Sequence, residues 1–202
     1  MMLKTVSLTL SILLIAAPAY ANAGLPMIAL VMPAMGMSLV PIIMLESLYI
    51  RRTLNVSTWS ALKAMIIANL ESTLIGIPLT WVVWVLIEAA FGYVVAFVGE
   101  GVNFPLPDAM ANIFAVTIGA AWLAPIESSL YWMVPTASLM LLIPFFYVSY
   151  FLERGMARRL LKGISVKDIY KAIFNANLYS YGLLSLIVIC WLIVSIFTKA
   201  GT

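Results

Sequence analysis

Seven polar residues could do chemistry because they interrupt strongly apolar stretches of the chain. They are Glu46, Asn69, Glu71, Ser72, Glu153, Asn177 and Ser180. Amide and hydroxyl groups hydrogen-bond between helices in membrane proteins. A carboxylate in such a stretch is costly and is a candidate for moving protons or ions. The chain has no histidine, and its absence removes the commonest general base and the commonest metal ligand.

Six of these residues belong to a repeated pattern. Residues 45–72 are LESLYIRRTLNVSTWSALKAMIIANLES, and residues 152–180 are LERGMARRLLKGISVKDIYKAIFNANLYS. With one single-residue gap, both contain L-E-x4-R-R-x-L, a serine, and K-A-x3-A-N-L-x-S. Glu71 is the exception, since Tyr179 occupies its counterpart position. Charged and amide residues rarely align in order by chance, so the pattern predicts a duplicated helix–loop–helix unit.

The composition places this pattern in a membrane protein. Hydrophobic residues make up 64% of the 202 residues and charged residues 9%, against about 25% charged residues in soluble domains. A soluble enzyme, a nucleic-acid-binding protein and a disordered tail are therefore excluded as classes. No nucleotide-binding, hydrolase or zinc motif is present, so the sequence predicts no enzyme activity, no cofactor and no metal site.

Residues 1–23 have the layout of a bacterial secretory signal peptide. Lys4 precedes a short apolar stretch, residues 8–17, and Ala21-Asn22-Ala23 fits the small-x-small cleavage rule. The apolar stretch is too short to span a bilayer. The sequence predicts cleavage before Gly24, which leaves the mature N-terminus on the outer face.

Four later segments are long and apolar enough to cross a bilayer. They are residues 25–50, a stretch from about 64 to beyond 84, residues 131–152 and residues 176–198. Of the 11 Lys and Arg residues, nine lie in the two stretches 51–63 and 154–171. Basic loops stay cytoplasmic. The pattern thus predicts a multi-pass protein of the bacterial inner membrane, with both mature termini on the periplasmic side.

The fold expected from these patterns is an all-α polytopic membrane protein built from two tandem, parallel-repeat helix hairpins. Repeat 1 covers residues 24–90, an outer connecting region covers 91–129, and repeat 2 covers 130–202. Residues 64–98 are apolar for longer than one span needs. One interpretation is a long tilted helix followed by interfacial or re-entrant helices on the outer face. The other adds two spans, giving six; four is favoured because residues 81–84 lack turn residues.

The repeated polar residues are expected to form one layer close to the cytoplasmic boundary. Three roles stay open for this layer: salt bridges that join the repeats, a headgroup-binding or partner-docking site, and proton or ion coupling. The nearby basic residues are candidates for contacts with anionic lipid headgroups or partners. They are Arg51, Arg52, Lys63, Arg154, Arg158, Arg159, Lys162 and Lys171.

Residues 45–81, with E-x4-R-R-x-L followed by A-N-L-x-S-T-L-x-G, resemble the first helix pair of the cyanobacterial filament-integrity (septal junction) membrane proteins. The resemblance covers about a fifth of the chain. It implies a structural, junction-associated membrane protein and transfers no active residue. The second copy of the unit and the signal peptide depart from that family's pattern.

Three functions are compatible with these features. The favoured one is a non-enzymatic scaffold, assembly or junction component that associates with other membrane subunits or with itself. The second is a small transporter or channel with a path along the polar layer. The third is a membrane-enzyme subunit that binds lipid or quinone between the repeats.

The topology can be tested with reporter fusions. Alkaline phosphatase, which is active only outside the cytoplasm, should be active when fused after Thr202 and inactive when fused after Asn55 or Gly163. Green fluorescent protein should show the opposite pattern at the same positions. Phosphatase activity at either basic loop would contradict the orientation predicted from Lys and Arg placement.

Overall fold

The computed structural model describes residues 24–99, 108–123 and 127–201. The predicted signal peptide lies outside the described residues. The chain forms two short strands and six α-helices in the described part, joined by one π-helical and two 3-10 segments. In order they are β1 (Leu25–Pro26), α1 (Ile28–Leu54), α2 (Thr58–Glu71), a π-helical segment (Ser72–Gly76), α3 (Ile77–Gly99), α4 (Asp108–Val116), a 3-10 turn (Ile118–Ala120), β2 (Trp122–Leu123), a 3-10 turn (Glu127–Ser129), α5 (Leu130–Leu160) and α6 (Val166–Ala200).

Four helices in the described residues are long and apolar enough to cross a membrane. They are Ile28–Leu54, Thr58–Phe97, Leu130–Leu160 and Val166–Ala200. The chain is therefore an all-α, multi-pass membrane protein. The second helix runs through α2, the π-helical segment and α3 without a hairpin, in agreement with four spans over six. Each helix extends past the apolar limits expected from the sequence, because the polar ends of the hairpins are helical as well.

Each pair of helices at the basic end of the molecule is joined by a short loop. Asn55 ends α1 in the left-handed conformation, with φ of 51°, which asparagine tolerates better than most residues. Ser57 then caps α2, since its hydroxyl accepts a hydrogen bond from the Ser60 backbone N–H at 3.1 Å. In the second loop Gly163 adopts a positive φ of 84°. Residues 45–72 and 152–180 thus both fold as helix–loop–helix.

The two hairpins pack side by side. Helix α1 packs against α2 of its own hairpin and against α6 of the other, while α5 packs against α6 and α2. Each of these four helices therefore makes one contact within its own hairpin and one with the other hairpin. Glu46, near the end of α1, meets Ser180 well inside α6, and Glu153, near the end of α5, meets Ser72 directly after α2.

Two apolar cores fill the bundle, one on each side of the repeated polar residues. The core at the basic end contains small residues of the repeated pattern, among them Ala64, Ala68, Ala172 and Ala176. Small residues allow helix backbones to approach closely in membrane bundles. The core at the opposite end contains larger side chains, including Met27, Met133, Leu141, Phe145 and Tyr181.

The hairpins differ just after the polar residues. In the first hairpin Ser72–Gly76 is π-helical, whereas α6 continues as a regular α-helix through Ser180. Gly76 faces α5: a Cβ placed on it would lie 2.7 Å from Leu152 Cδ1 and 3.2 Å from Val148 Cγ1. The wide turn and the missing side chain together let the start of α3 pack against α5.

The segment that connects the two hairpins is tied to β1 and to α3. Strand β1 pairs antiparallel with β2, Leu25 opposite Leu123. The indole N–H of Trp81 donates to the Ala121 carbonyl at 2.9 Å. The Trp122 backbone N–H donates to Glu88 Oε2 at 3.1 Å. These bonds hold residues 117–123 against α3, as a folded segment beside the bundle.

Gly76→Val should destabilise the protein, because the new side chain would enter space held by Leu152 and Val148. Overpacking of this kind costs about 1–3 kcal/mol. The measurement is unfolding of purified protein in detergent, followed by loss of helical circular dichroism.

Gly92→Val is the matched control, since a Cβ there meets nothing within 4 Å. Equal stability of the two variants would contradict close packing of Gly76 against α5.

Candidate functional site

Glu46 is the centre of a buried set of hydrogen bonds. It lies on α1 with 1% of its surface exposed. Its Oε2 accepts a hydrogen bond from Asn69 Nδ2 at 2.6 Å, and its Oε1 accepts one from the Ser180 hydroxyl at 2.7 Å. Asn69 belongs to the same hairpin as Glu46, and Ser180 belongs to the other.

Glu153 on α5 has the corresponding partners. It is 2% exposed. Its Oε2 accepts from Asn177 Nδ2 at 2.6 Å, and its Oε1 accepts from the Ser72 hydroxyl at 2.8 Å. Each carboxylate therefore takes an amide from its own hairpin and a hydroxyl from the opposite one. We call these six side chains the polar cluster; they are Glu46, Asn69, Ser72, Glu153, Asn177 and Ser180.

Local helix geometry positions the amides and hydroxyls. Asn69 Nδ2 also donates to the Met65 carbonyl one turn earlier, at 3.1 Å. The Ser72 hydroxyl lies 3.2 Å from the Asn69 carbonyl. In α6 the same contacts join Asn177 to Ile173 and Ser180 to Asn177, at 3.2 and 3.1 Å. Because residues three and four apart share a helix face, the spacing N-x-x-S presents both groups to the neighbouring helix.

The polar layer predicted from the sequence is thus brought together. Within the described residues, neither repeated glutamate forms the salt bridge that was one of the roles left open for the layer. The partners of Glu46 and Glu153 are neutral amides and hydroxyls. The reason lies in helical spacing. Arg51 is five residues after Glu46, and Arg158 is five after Glu153, which is about 140° around a helix. The glutamates face the bundle centre while these arginines face outward.

Glu71, the unrepeated member of the predicted layer, takes no part in the polar cluster. It is half-buried, whereas the next residue, Ser72, is buried. One position along a helix turns a side chain by about 100°, so Glu71 points away from Glu153. This makes it a useful control position for the buried carboxylates.

The predicted headgroup-contacting residues stay at the surface of the basic end. Seven of them are exposed: Arg51, Arg52, Lys63, Arg158, Arg159, Lys162 and Lys171. Arg51 and Arg52 border an open cavity of about 610 Å³ beside the first loop.

Arg154 differs from the other basic residues because it is half-buried among aromatic rings. Its guanidinium lies 4.3 Å from the ring centre of Phe151, 4.9 Å from that of Tyr170 and 5.0 Å from that of Tyr150. Cation–π contacts of this kind stabilise the charge, and no described carboxylate pairs with it.

Three polar side chains that the sequence did not single out complete the site. Ser149 Oγ and the Tyr181 hydroxyl are 2.8 Å apart and buried, and Thr73 is buried beside them. Ser149 lies four residues before Glu153, and Tyr181 lies four after Asn177. That spacing places both on the inward face, and it is the signal that could have identified them.

These side chains and the polar cluster border a small internal cavity of about 10 Å³. It is lined by Met35, Leu39, Ile42, Glu46, Asn69, Ser72, Thr73, Ser149, Glu153 and Tyr181. A space of this size holds about one water-sized particle. In the described residues, Asn177 Oδ1 and Ser47 Oγ are buried without a hydrogen-bond partner. Asn177 is fully buried, and its amide nitrogen is the group that binds Glu153.

No protein family model, curated protein or solved structure matches this chain.

Each buried glutamate accepts a hydrogen bond from a serine of the other hairpin, so we expect the two side chains of such a pair to be energetically coupled. Ser180→Ala and Glu46→Gln should show a coupling energy of about 0.5–1.5 kcal/mol in a double-mutant cycle, because the two side chains share one hydrogen bond. The measurement is reversible unfolding in mixed detergent micelles.

Ser180→Ala with Glu153→Gln is the matched pair, since these two side chains share no direct hydrogen bond. A coupling as large as that of Ser180 with Glu46 would contradict the observed pairing.

Proposed function

We propose that this protein is a non-enzymatic scaffold or junction component of a bacterial inner-membrane complex, built from a duplicated helix hairpin. The observation that carries the proposal is the reciprocal polar cluster. Each buried carboxylate needs a donor from both hairpins, so the cluster forms only when the hairpins are packed together. A core held in this way is suited to keeping a fixed shape in the membrane.

The outer surfaces of the helices support a role in assembly. Helix α6 is long and apolar, yet only 11% of its most apolar window is buried inside the protein. Trp191 and Phe197 are among its exposed side chains, and Phe97 and Tyr93 are exposed on α3. These faces suit contact with the bilayer and with the membrane helices of other subunits or of a second copy.

The exposed charges support the proposed orientation. The basic residues cluster at the loops that join α1 to α2 and α5 to α6, on one end of the bundle. Cytoplasmic placement of that end brings them to anionic lipid headgroups. Both mature termini then lie on the periplasmic side.

The resemblance to septal junction proteins supports the same class of function. Its motif includes Glu46, Asn69 and Ser72, which belong to the polar cluster and hold helices together. A motif whose polar residues form hydrogen bonds between helices is expected in a structural protein of this kind.

Purification tests the scaffold function. Full-length protein extracted from its native membrane in mild detergent should elute as a self-assembled oligomer or with partner subunits at fixed stoichiometry. Light scattering coupled to size exclusion gives the mass of the particle. The double variant Glu46→Gln/Glu153→Gln should lose assembly together with thermal stability. Each glutamine keeps one acceptor oxygen and has an amide nitrogen in place of the other, so one donor at each position loses its acceptor.

Glu71→Gln is the control for this experiment, since Glu71 lies outside the polar cluster. It should assemble as the unsubstituted protein does. A protein that elutes as a single chain without partners would overturn the scaffold proposal.

Lipid or quinone binding is the alternative that one further observation favours. An apolar groove of about 570 Å³ lies between α1, α5 and α6, bordered by Met37, Ser38, Phe145, Leu184 and Trp191 among others. A groove of this size fits an acyl or isoprenoid chain. Mass spectrometry of the same purified sample distinguishes the alternatives: a stoichiometric lipid or quinone, with no protein partner, would favour this one.

A transporter is less well supported by the geometry. The cavity beside the two carboxylates holds about one water-sized particle, and most of the cluster is fully buried. A transport path would need the helices to move apart at the polar cluster. Ion flux measured in proteoliposomes that contain only this protein would favour a channel over the scaffold.

A further inference from the structure

We propose that the second hairpin binds one anionic phospholipid, with Arg154 holding the phosphate and an apolar groove between α5 and α6 holding an acyl chain. This site goes beyond the scaffold function and does not depend on it. Three features carry the proposal: the way in which Arg154 is held, a row of aromatic rings that only one of the two repeats has, and the groove that adjoins this row.

The guanidinium of Arg154 has donors to spare. It carries five N–H groups, and within the described residues one hydrogen bond uses them, from Nη1 to the Tyr150 hydroxyl at 3.4 Å. An arginine at a membrane surface usually extends its charged end towards water. This one instead lies over the rings of Phe151 and Tyr150, three and four residues before it on α5. The guanidinium is thus held in place, half-buried, with most of its donors left for an external anion.

The depth of Arg154 matches that of the lipid phosphates. Arg154 lies six residues before the end of α5 at Leu160, and Tyr170, whose ring it also contacts, lies four residues after the start of α6 at Val166. At 1.5 Å per residue, the guanidinium is about 6–9 Å from the loop that joins these helices. The headgroup layer on each side of the hydrocarbon core is about 5–8 Å thick. With the loop at the water boundary, a lipid phosphate is the anion within reach, and the planar fork of arginine matches phosphate oxygens.

A row of aromatic rings runs along α5 and α6 from Arg154 to the polar cluster. The ring centres of Tyr150 and Phe174 are 5.4 Å apart. Phe146 then lies 5.6 Å from Phe174 and 5.5 Å from Tyr181. All three pairs meet edge to face, an arrangement that aromatic rings favour. We call these rings and the two others that contact Arg154 the aromatic row; its members are Phe146, Tyr150, Phe151, Tyr170, Phe174 and Tyr181.

The first hairpin has neither the aromatic row nor the arginine. At the spacing of the repeat, Ser47 occupies the position of Arg154. The six ring positions are occupied by Leu39, Ile43, Met44, Leu62, Ile66 and Thr73. Both hairpins fold as helix–loop–helix, so this fold does not require the row. Seven coordinated differences in one contiguous set of side chains indicate a function that only the second hairpin has.

An apolar groove adjoins the end of the aromatic row that is farther from Arg154. Its volume is about 270 Å³, and it is bordered by Phe146, Gly182 and the exposed Leu178 among others. It shares only Leu142 with the groove of about 570 Å³ between α1, α5 and α6. Phe146 lies eight residues before Arg154, which is about 12 Å along the helix. A phospholipid has the same order, with its phosphate at the surface and its acyl chains deeper, so the two features together fit an anionic phospholipid.

Native mass spectrometry of the purified full-length protein tests the site. Protein in mild detergent is titrated with phosphatidylglycerol, with phosphatidylcholine of the same acyl chains, and with inorganic phosphate. Phosphatidylglycerol should saturate one strong site per chain and should bind more tightly than phosphatidylcholine, because its headgroup is anionic. Arg154→Gln should weaken phosphatidylglycerol binding by about tenfold, the loss expected when one charge-assisted hydrogen-bonded pair is removed. The same variant should lose the preference for phosphatidylglycerol over phosphatidylcholine.

Matched variants separate the site from net charge and from folding. Arg158→Gln removes the same charge from an exposed side chain one turn later, and it should change phosphatidylglycerol binding by less than about twofold. Gly182→Leu places in the groove the residue that the first hairpin has at the equivalent position, Leu74. A Cβ at Gly182 meets nothing within 4 Å, so this variant should fold and yet bind phosphatidylglycerol more weakly, even where Arg154→Gln does not fold.

Four results would each overturn the proposal. They are equal binding of the two lipids, a loss in Arg158→Gln as large as that in Arg154→Gln, unchanged binding in Gly182→Leu, and inorganic phosphate that binds as tightly as phosphatidylglycerol. The last result would assign Arg154 to a free phosphate in place of a lipid.

Discussion

A carboxylate inside a membrane-spanning helix must find hydrogen-bond donors within the protein, because the surrounding lipid offers none. Glu46 and Glu153 meet this requirement in the same way, each with an amide from its own hairpin and a hydroxyl from the other. The alanine-rich contacts at the basic end bring the helices close enough for these bonds. The contacts of α1 with α6 and of α2 with α5 then follow from the position of the donors along each helix.

The two apolar cores on either side of this layer differ in the size of their side chains. At the basic end, small residues set short distances between helices, so the polar side chains face one another. At the opposite end, larger side chains pack together with residues of the folded segment 117–123. The π-helical segment and Gly76 mark the transition in the first hairpin. The polar cluster therefore lies between a core of small side chains and a core of larger ones.

Much of this arrangement could be predicted from the sequence, because rare polar residues in an apolar chain carry most of the information. The spacing of Glu46, Asn69 and Ser72 and of their counterparts was enough to place six side chains in one layer. The partners within it were not predictable, since nearness in sequence left salt bridges open as one role, whereas helical phase turns Arg51 and Arg158 away. The π-helical segment and the strand pair of Leu25 with Leu123 arise from tertiary contacts, which no local pattern in the sequence reports.

The reciprocal serine–glutamate hydrogen bonds between the hairpins bear on how such a chain could arise. A hairpin whose carboxylate is satisfied by a serine from its neighbour, and whose own serine satisfies the neighbour in return, is complementary to a copy of itself. That is the contact geometry of a twofold homodimer. Joining both copies in one polypeptide preserves the contact and removes the need for identical halves. The turn after Ser72 could then widen while the helix after Ser180 stayed regular, an asymmetry that a pair of identical subunits cannot have.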